Sequence, residues 1–137
     1  MPLLANDTDG AVTRKRLETW AAKEEKVTVV AASDAATTQS QSTLAGAHHV
    51  IYTMTPSTGR ALTTPTGAEL GAAFTDEAIG TSFKFSVVNL ASATHAVTVT
   101  AGASGVTISG VAAVSANTSG SFVGVFTAAN TVVIYRV

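Results

Sequence analysis

The sequence predicts an all-β fold: an antiparallel β-sandwich or barrel, jelly-roll-like, with one short helix and an N-terminal helical arm. Short runs of β-branched and aromatic residues alternate with period two between turns rich in Gly, Asn and Ser, a pattern typical of sandwiches and barrels. Ten of the seventeen charged residues also fall before residue 27. We therefore divide the 137-residue chain into a charged arm, residues 1–26, and a β-rich body, residues 27–137.

The arm has the pattern of a short amphipathic helix. Leu17, Trp20 and Ala21 are spaced i, i+3, i+4, so they share one apolar stripe. A helix this short is marginal unless its stripe docks on something, and tryptophan is enriched among interface anchors. We predict that Leu17 and Trp20 bind a partner. The alternative is that the arm folds back on its own body.

A basic run precedes this stripe and is included in the predicted partner-binding set. It consists of Arg14, Lys15 and Arg16. These residues could contact an acidic protein surface or nucleic acid. Because glutamates lie close by in the sequence, the run also fits one solvated side of the helix.

Residues 27–62 hold two strand-like runs. Both runs are rich in β-branched residues and have the length of strands. They are VTVVAA, residues 27–32, and HHVIYTMT, residues 48–55. The stretch between them, residues 33–47, is small and polar throughout, so it fits either a long loop or a further irregular strand.

A short helix is predicted to begin within TTPTGAEL. Thr66 followed by Glu69 fits a capping box, in which each side chain satisfies an unpaired backbone N–H at the helix start. The alanine-rich segment ends before IGTSF, so this helix introduces the strands of the C-terminal half.

Five alternating runs follow the helix. They are SFKFSVVN, HAVTVTA, GVTIS, SFVGVFT and TVVIYRV. In the first run, Phe83, Phe85 and Val87 share one face, and in the fourth run Phe122 and Phe126 do the same. The last two runs carry apolar residues on both faces, which predicts burial on both sides. Residues 82–89 and 120–137 are predicted to be the strands through which the body forms an oligomer.

Charge is scarce in the body. Charged residues make up 12% of the chain, against about 25% in ordinary soluble domains, and 34 serine and threonine residues supply the polarity instead. Surface charge usually keeps small domains apart. The composition therefore favours a body covered by copies of itself or by a partner, with a solvated threonine-rich sheet as the alternative.

Three classes of partner or destination are not expected. The net charge of −1 gives no electrostatic footprint for nucleic acid. No apolar run approaches the roughly 20 residues of a membrane helix. The N-terminal residues lack the basic and apolar regions of a secretory signal, so we expect the protein to be made in a cytoplasm without such a signal.

No group of residues predicts a catalytic, cofactor-binding or metal site. His48 and His49 are adjacent and would point to opposite faces of a strand, and His95 has no acidic neighbour in sequence. Asp76 and Glu77 are paired carboxylates, but adjacent acids after a short helix are usually a solvated loop. The chain has no cysteine and no nucleophile elbow, P-loop or dinucleotide fingerprint. We therefore expect no cofactor and do not expect an enzyme.

The segment from Thr64 to Val137 resembles a C-terminal module of small virion proteins of tailed bacteriophages. The stretches that carry the resemblance are, in order, TTPTGAEL, IGTSFKFSVVN, VTVTAGASGVTISG, SGSFVGVFT and TVVIYRV. They cover a little over half the chain. The module, residues 63–137, would then be the family-like part of the body.

The resemblance implies a head decoration or cement protein. Such a protein binds the outside of the capsid shell and stabilises it by bridging capsomers. Proteins of this kind look like β-rich trimers, so the implied partners are the major capsid protein and two further copies of this chain, on the exterior of a virion assembled in a host cytoplasm. A ligand- or glycan-binding module of a phage head or tail fibre is the alternative.

Overall fold

The structure is a computed structural model that describes residues 21–22, 25–75 and 77–137. From residue 27 onward the described chain forms ten strands and two short helices. In chain order these are β1 (Val27–Ala31), β2 (Thr37–Thr38), α1 (Gln41–Ala45), β3 (His49–Met54), β4 (Arg60–Thr63), α2 (Gly67–Ala73), β5 (Ser82–Asn89), β6 (Val97–Thr100), β7 (Val106–Ser109), β8 (Ala113–Val114), β9 (Thr118–Ala128) and β10 (Thr131–Arg136). Of the predicted arm helix, Ala21 and Ala22 are described, and both are helical and exposed; Leu17 and Trp20 lie outside the described residues.

The strands form two mixed sheets. The large sheet has the order β1-β3-β5-β9-β10-β7, and the small sheet has the order β2-β4-β6-β8. From β1 to β9 the chain alternates between them, because each strand of the large sheet is followed by one of the small sheet. The fold is therefore mostly β, built from a chain that passes back and forth between two mixed sheets.

The predicted antiparallel, jelly-roll-like order is wrong for most of the structure. Among the described strands, five pairs are parallel and three are antiparallel. The winding explains the difference. Between β1 and β3, and again between β3 and β5, the chain runs back along the small sheet, so it enters the large sheet from the same end each time. Parallel pairing needs such a crossover, whereas a tight hairpin gives antiparallel pairing.

The two helices occupy equivalent places in successive windings and contact each other. The start of α2 is the predicted capping box: the Thr66 hydroxyl accepts from the Glu69 N–H, and the Glu69 carboxylate accepts from the Thr66 N–H at 2.8 Å. Helix α1 was not predicted. Ser40 caps its first turn and Leu44 is its one fully buried side chain, so one apolar residue in a polar stretch anchors it.

Buried side chains from both sheets form one hydrophobic core. Phe85 and Phe122, from neighbouring strands, stack with ring centroids 5.1 Å apart, and Tyr52 meets Phe85 edge-on at 6.2 Å. The predicted alternation of β5 and β9 is confirmed, since Phe83, Phe85 and Phe122 all point into this core. Burial on both faces of the last two strands is not observed in the described structure, because Tyr135 remains 42% exposed.

A buried asparagine ties the end of β5 to the small sheet. Asn89 is 1% exposed, and its amide nitrogen donates to the carbonyl oxygens of His95 and Val114 at 2.8 and 2.9 Å. Its amide oxygen accepts from the Ala91 N–H at 3.0 Å. Because a buried polar group without partners is costly, this fully paired amide holds the end of β5 beside β8 of the small sheet.

Three backbone segments meet without side chains between them near the start of α2. Gly67 donates its N–H to the Ser104 carbonyl, and Val132 donates to the Gly105 carbonyl, both at 2.8 Å. A Cβ on Gly67 would collide with the backbone carbonyl of Asn130. Gly105 has φ +73°, a conformation that glycine adopts at little cost. These contacts lock the helix start, the β6–β7 loop and the β9–β10 turn together.

Replacement of Gly67 tests this junction, with Gly71 as a matched control one helical turn later. Gly67→Ala should lower the free energy of unfolding by about 2–3 kcal/mol, because the obstacles are backbone atoms that cannot move aside. Gly71→Ala meets only the side-chain ends of Asn130 and Glu77, and alanine favours a helix by about 1 kcal/mol, so its cost should be much smaller. Urea unfolding of both variants measures the difference. An equal loss of unfolding free energy in the two variants would contradict the close backbone contact at Gly67.

Candidate interaction surface

One face of the large sheet points away from the core, and no described residues pack over it as a further layer. We call it the outer face: the odd-numbered positions of β1, β3, β7, β9 and β10, and the even-numbered positions of β5. The strand registers place these positions in rows that run across the sheet. The result is a broad surface six strands wide.

The outer face combines apolar and small polar side chains with little charge. Val27, Val29 and Tyr135 are 54%, 64% and 42% exposed. Lys84 is exposed on the central strand β5, and none of the positions that define the face holds an acidic residue. Because apolar side chains without a charged screen favour contact with another protein surface, this face is the candidate interaction surface of the body.

A hydrogen-bonded chain crosses the centre of the outer face. His49 Nε2 lies 2.7 Å from Ser86 Oγ, which lies 3.0 Å from Ser121 Oγ. Both neighbouring strands pair with the backbone of Ser86. Acyl transfer would also require backbone N–H groups aimed at a developing oxyanion, and strand pairing engages the backbone around Ser86. The chain of side chains is suited to hydrogen bonding across the surface.

The other groups considered for chemistry do not converge. Within the described ranges, no three His, Cys, Asp or Glu side chains are placed to hold a metal ion. His49 lies on the outer face, whereas His48 precedes β3. Asp76 lies outside the described residues. One carboxylate oxygen of Glu77 is buried without a hydrogen-bond partner in the described structure, and the carboxylate lies beside Gly71.

Two small depressions lie on the surface, and neither has the lining of a typical ligand site. One, of about 220 Å³, lies between β1 and α1 and is lined by Lys26, Thr28, Ser42, Thr43 and Gly46. The other, of about 280 Å³, is lined by Thr94, Ala96, Ser115 and Ala116. Ligand sites usually combine an apolar lining with a few convergent polar groups, and neither depression has that combination.

The aromatic residues of the body do not form an exposed stacking platform. Six of the seven are buried, namely Tyr52, Phe74, Phe83, Phe85, Phe122 and Phe126. Burial raises the pKa of Tyr52 to about 12. Tyr135 is the exposed ring among them. A glycan-binding surface built on several rings therefore has one candidate residue in the body.

An ion pair joins two loops at the end of the sheets. Arg60 Nε donates to Asp34 Oδ1 at 2.7 Å, and the Ser57 hydroxyl and N–H donate to the same carboxylate at 2.6 and 3.1 Å. The hydrogen bond from Arg60, followed by those from Ser57, holds the pKa of Asp34 well below its usual range. This cluster links the β1–β2 loop to the start of β4.

The partner-binding residues predicted from the sequence all belong to the arm. Leu17, Trp20 and the basic residues Arg14, Lys15 and Arg16 all lie outside the described ranges. The outer face was not predicted as one continuous surface, although the strands predicted to form the oligomer, residues 82–89 and 120–137, lie in it as β5, β9 and β10. Among the described residues, no helix is long and apolar enough to cross a membrane.

Comparison of the chain with protein-family models, with curated proteins and with solved structures gave no match.

Replacement of Asp34 tests the loop cluster through pH. Because the folded pKa lies below the unfolded value of about 3.9, the ionised carboxylate stabilises the fold above that value, and this contribution is lost as pH falls through the folded pKa. The free energy of unfolding should therefore be higher for the native chain than for Asp34→Asn above about pH 5, and the gap should narrow below about pH 4. Urea unfolding at several pH values measures it, and the effect should be small because solvent screens the pair.

Ser57→Ala provides the control for this measurement. It removes the hydroxyl donor but leaves Arg60 and the Ser57 N–H in place, so its stability gap should follow the same pH trend with a smaller amplitude. A gap between the native chain and Asp34→Asn that does not vary with pH would contradict the cluster.

Proposed function

We propose that this chain is a structural virion protein, a capsid decoration or cement protein that binds the outer surface of a bacteriophage shell and stabilises it by bridging capsomers. The observation that carries the proposal is the outer face. A wide sheet surface with exposed Val27, Val29 and Tyr135 and one lysine suits contact with another protein surface far better than it suits chemistry.

The distribution of charge supports the same function. The 111 residues of the body include seven charged residues. Several of these interact with neighbouring side chains or backbone groups of the body itself. Asp34 pairs with Arg60, Glu69 closes the capping box, and the guanidinium of Arg136 lies over the ring of Phe122. Little charge is left to keep copies of the body apart.

The resemblance to small virion proteins supports a capsid surface as the partner. The segment that carries it, from Thr64 to Val137, spans α2 and every element from β5 to β10. We interpret the two sheets as a sandwich, in which a layer of helices and small strands supports the large sheet from behind. The outer face would then be the surface that this module offers to a shell or to neighbouring copies.

In this proposal the arm makes the bridge. Leu17 and Trp20 would anchor it on the major capsid protein, with Arg14, Lys15 and Arg16 beside an acidic part of the shell. A trimeric body would hold three such arms, and local affinities that are modest alone would add up through multivalency. The protein would be located on the capsid exterior.

Deletion of residues 1–26 tests the proposal. The truncated chain should keep the far-ultraviolet circular dichroism of a folded β protein but lose binding to expanded shells of the phage that encodes it, measured by co-sedimentation. The double variant Leu17→Ser/Trp20→Ser should lose most of that binding, because the apolar stripe is the anchor. Leu3→Ser/Leu4→Ser, a matched change outside the stripe, should retain it.

Unchanged shell binding after the deletion would reject the arm as the bridge. Absence of binding by the intact chain, together with a specific hit on a glycan array, would replace the decoration function with a ligand-binding module of a head or tail fibre.

A further inference from the structure

The large sheet ends in two edge strands that no described strand covers. These are β1 at one side and β7 at the other. Neither edge carries the features that usually block pairing with another chain, since VTVVA and VTIS contain no proline and no charged residue. An open edge with free N–H and C=O groups is a template for a further strand.

The two edges run in the same direction. β1 is parallel to β3 and β3 to β5, β9 reverses the direction, β10 restores it, and β7 is parallel to β10. A rotation about an axis along the strands can therefore place β1 of one copy beside β7 of the next in parallel. Such a pair would continue the parallel pairing that each edge already has with its inner neighbour.

Both edges also expose the margin of the same core. Val30 on β1, and Val106 and Ile108 on β7, are partly buried side chains packed against the core. Their inner neighbours in the strand register, Tyr52, Val132 and Ile134, are buried. Edge-to-edge pairing of two copies would bring these margins together and complete the burial of both.

We propose that β1 of one copy pairs with β7 of a second copy of this chain, head to tail. One contact of this kind uses both edges, so repetition closes a ring or extends a filament. Pairing of β1 with another β1 would leave every β7 edge open. In the head-to-tail ring, the outer faces of all copies lie on the same side of a continuous sheet.

Cysteine cross-linking distinguishes these arrangements, because the native chain contains no cysteine. Val29 and Thr107 are exposed outer-face positions on β1 and β7. Val29→Cys and Thr107→Cys chains, carrying tags of different size, are co-expressed and treated with a short bismaleimide. The expected product is the mixed dimer, with neither single variant cross-linking to itself. The double variant Val29→Cys/Thr107→Cys should give a ladder that ends at the ring size or continues as a filament.

The control pairs Thr107→Cys with Thr98→Cys, an exposed position on the small sheet, and should give no mixed dimer above background. Cross-linking of Val29→Cys to itself would overturn the proposal in favour of β1–β1 pairing. A lack of any cross-link, in variants whose circular dichroism matches the native chain, would also overturn it and would leave residues 1–26 as the cover of β1.

A charged residue on the edge provides a second measurement. Val29→Lys should raise the concentration at which half of the chain is assembled by about tenfold or more, since lysine on an edge strand opposes strand addition. Val29→Thr keeps a β-branched side chain, so it should change this half-assembly concentration far less. Neither experiment needs a capsid, so a chain that forms this contact but does not bind shells would reject the proposed function alone.

Discussion

The contact of three backbone segments at Gly67, Gly105 and Asn130 is the constraint on which the rest of the architecture depends. It joins the start of α2, the β6–β7 loop and the β9–β10 turn. These segments come from distant parts of the chain, and no side chain separates them. Because the junction holds β10 beside β7 and sets α2 against the last hairpin, it fixes the far end of the large sheet relative to the windings that begin at β1.

The winding of the chain between two layers has consequences for the surface. Strands that return to the large sheet from the same end produce parallel pairs, and the order of insertion leaves the first strand, β1, at one edge and β7 at the other. The small sheet and the helices cover the core from one side, and no described residue packs as a layer on the opposite side of the large sheet. Among the described residues, the large sheet therefore has one uncovered face and two uncovered edges, and the body that carries them is poor in charge.

Local elements were predictable from the sequence, and their arrangement was not. The alternation around Phe83 and Phe122 identified β5 and β9 with their buried faces, and Thr66 with Glu69 identified the start of α2. Period-two alternation predicts which side chains of a strand share a face. It does not depend on the direction of the neighbouring strand, so parallel pairing was not predicted. Helix α1 was missed because Leu44 is one apolar residue in a polar stretch, which gives no helical periodicity to detect.

The outer face was hidden for a related physical reason. Val123, Val125 and Val133 have the composition of buried strand positions, and the sequence alone predicted burial on both sides of the last two strands. Which apolar phase faces the core depends on the layer behind the sheet. The hydrogen-bonded chain through Ser86 could not be predicted either, because its members lie on β3, β5 and β9 and are far apart in the sequence.

Sedimentation velocity of the full-length chain, from micromolar concentration upward, tests the central claim that this body is built to associate through its large sheet. We expect discrete species several times the 13.8 kDa of one chain, and we expect these species to disappear in Val29→Lys while the variant stays folded. A single monomeric species across the whole concentration range would contradict it.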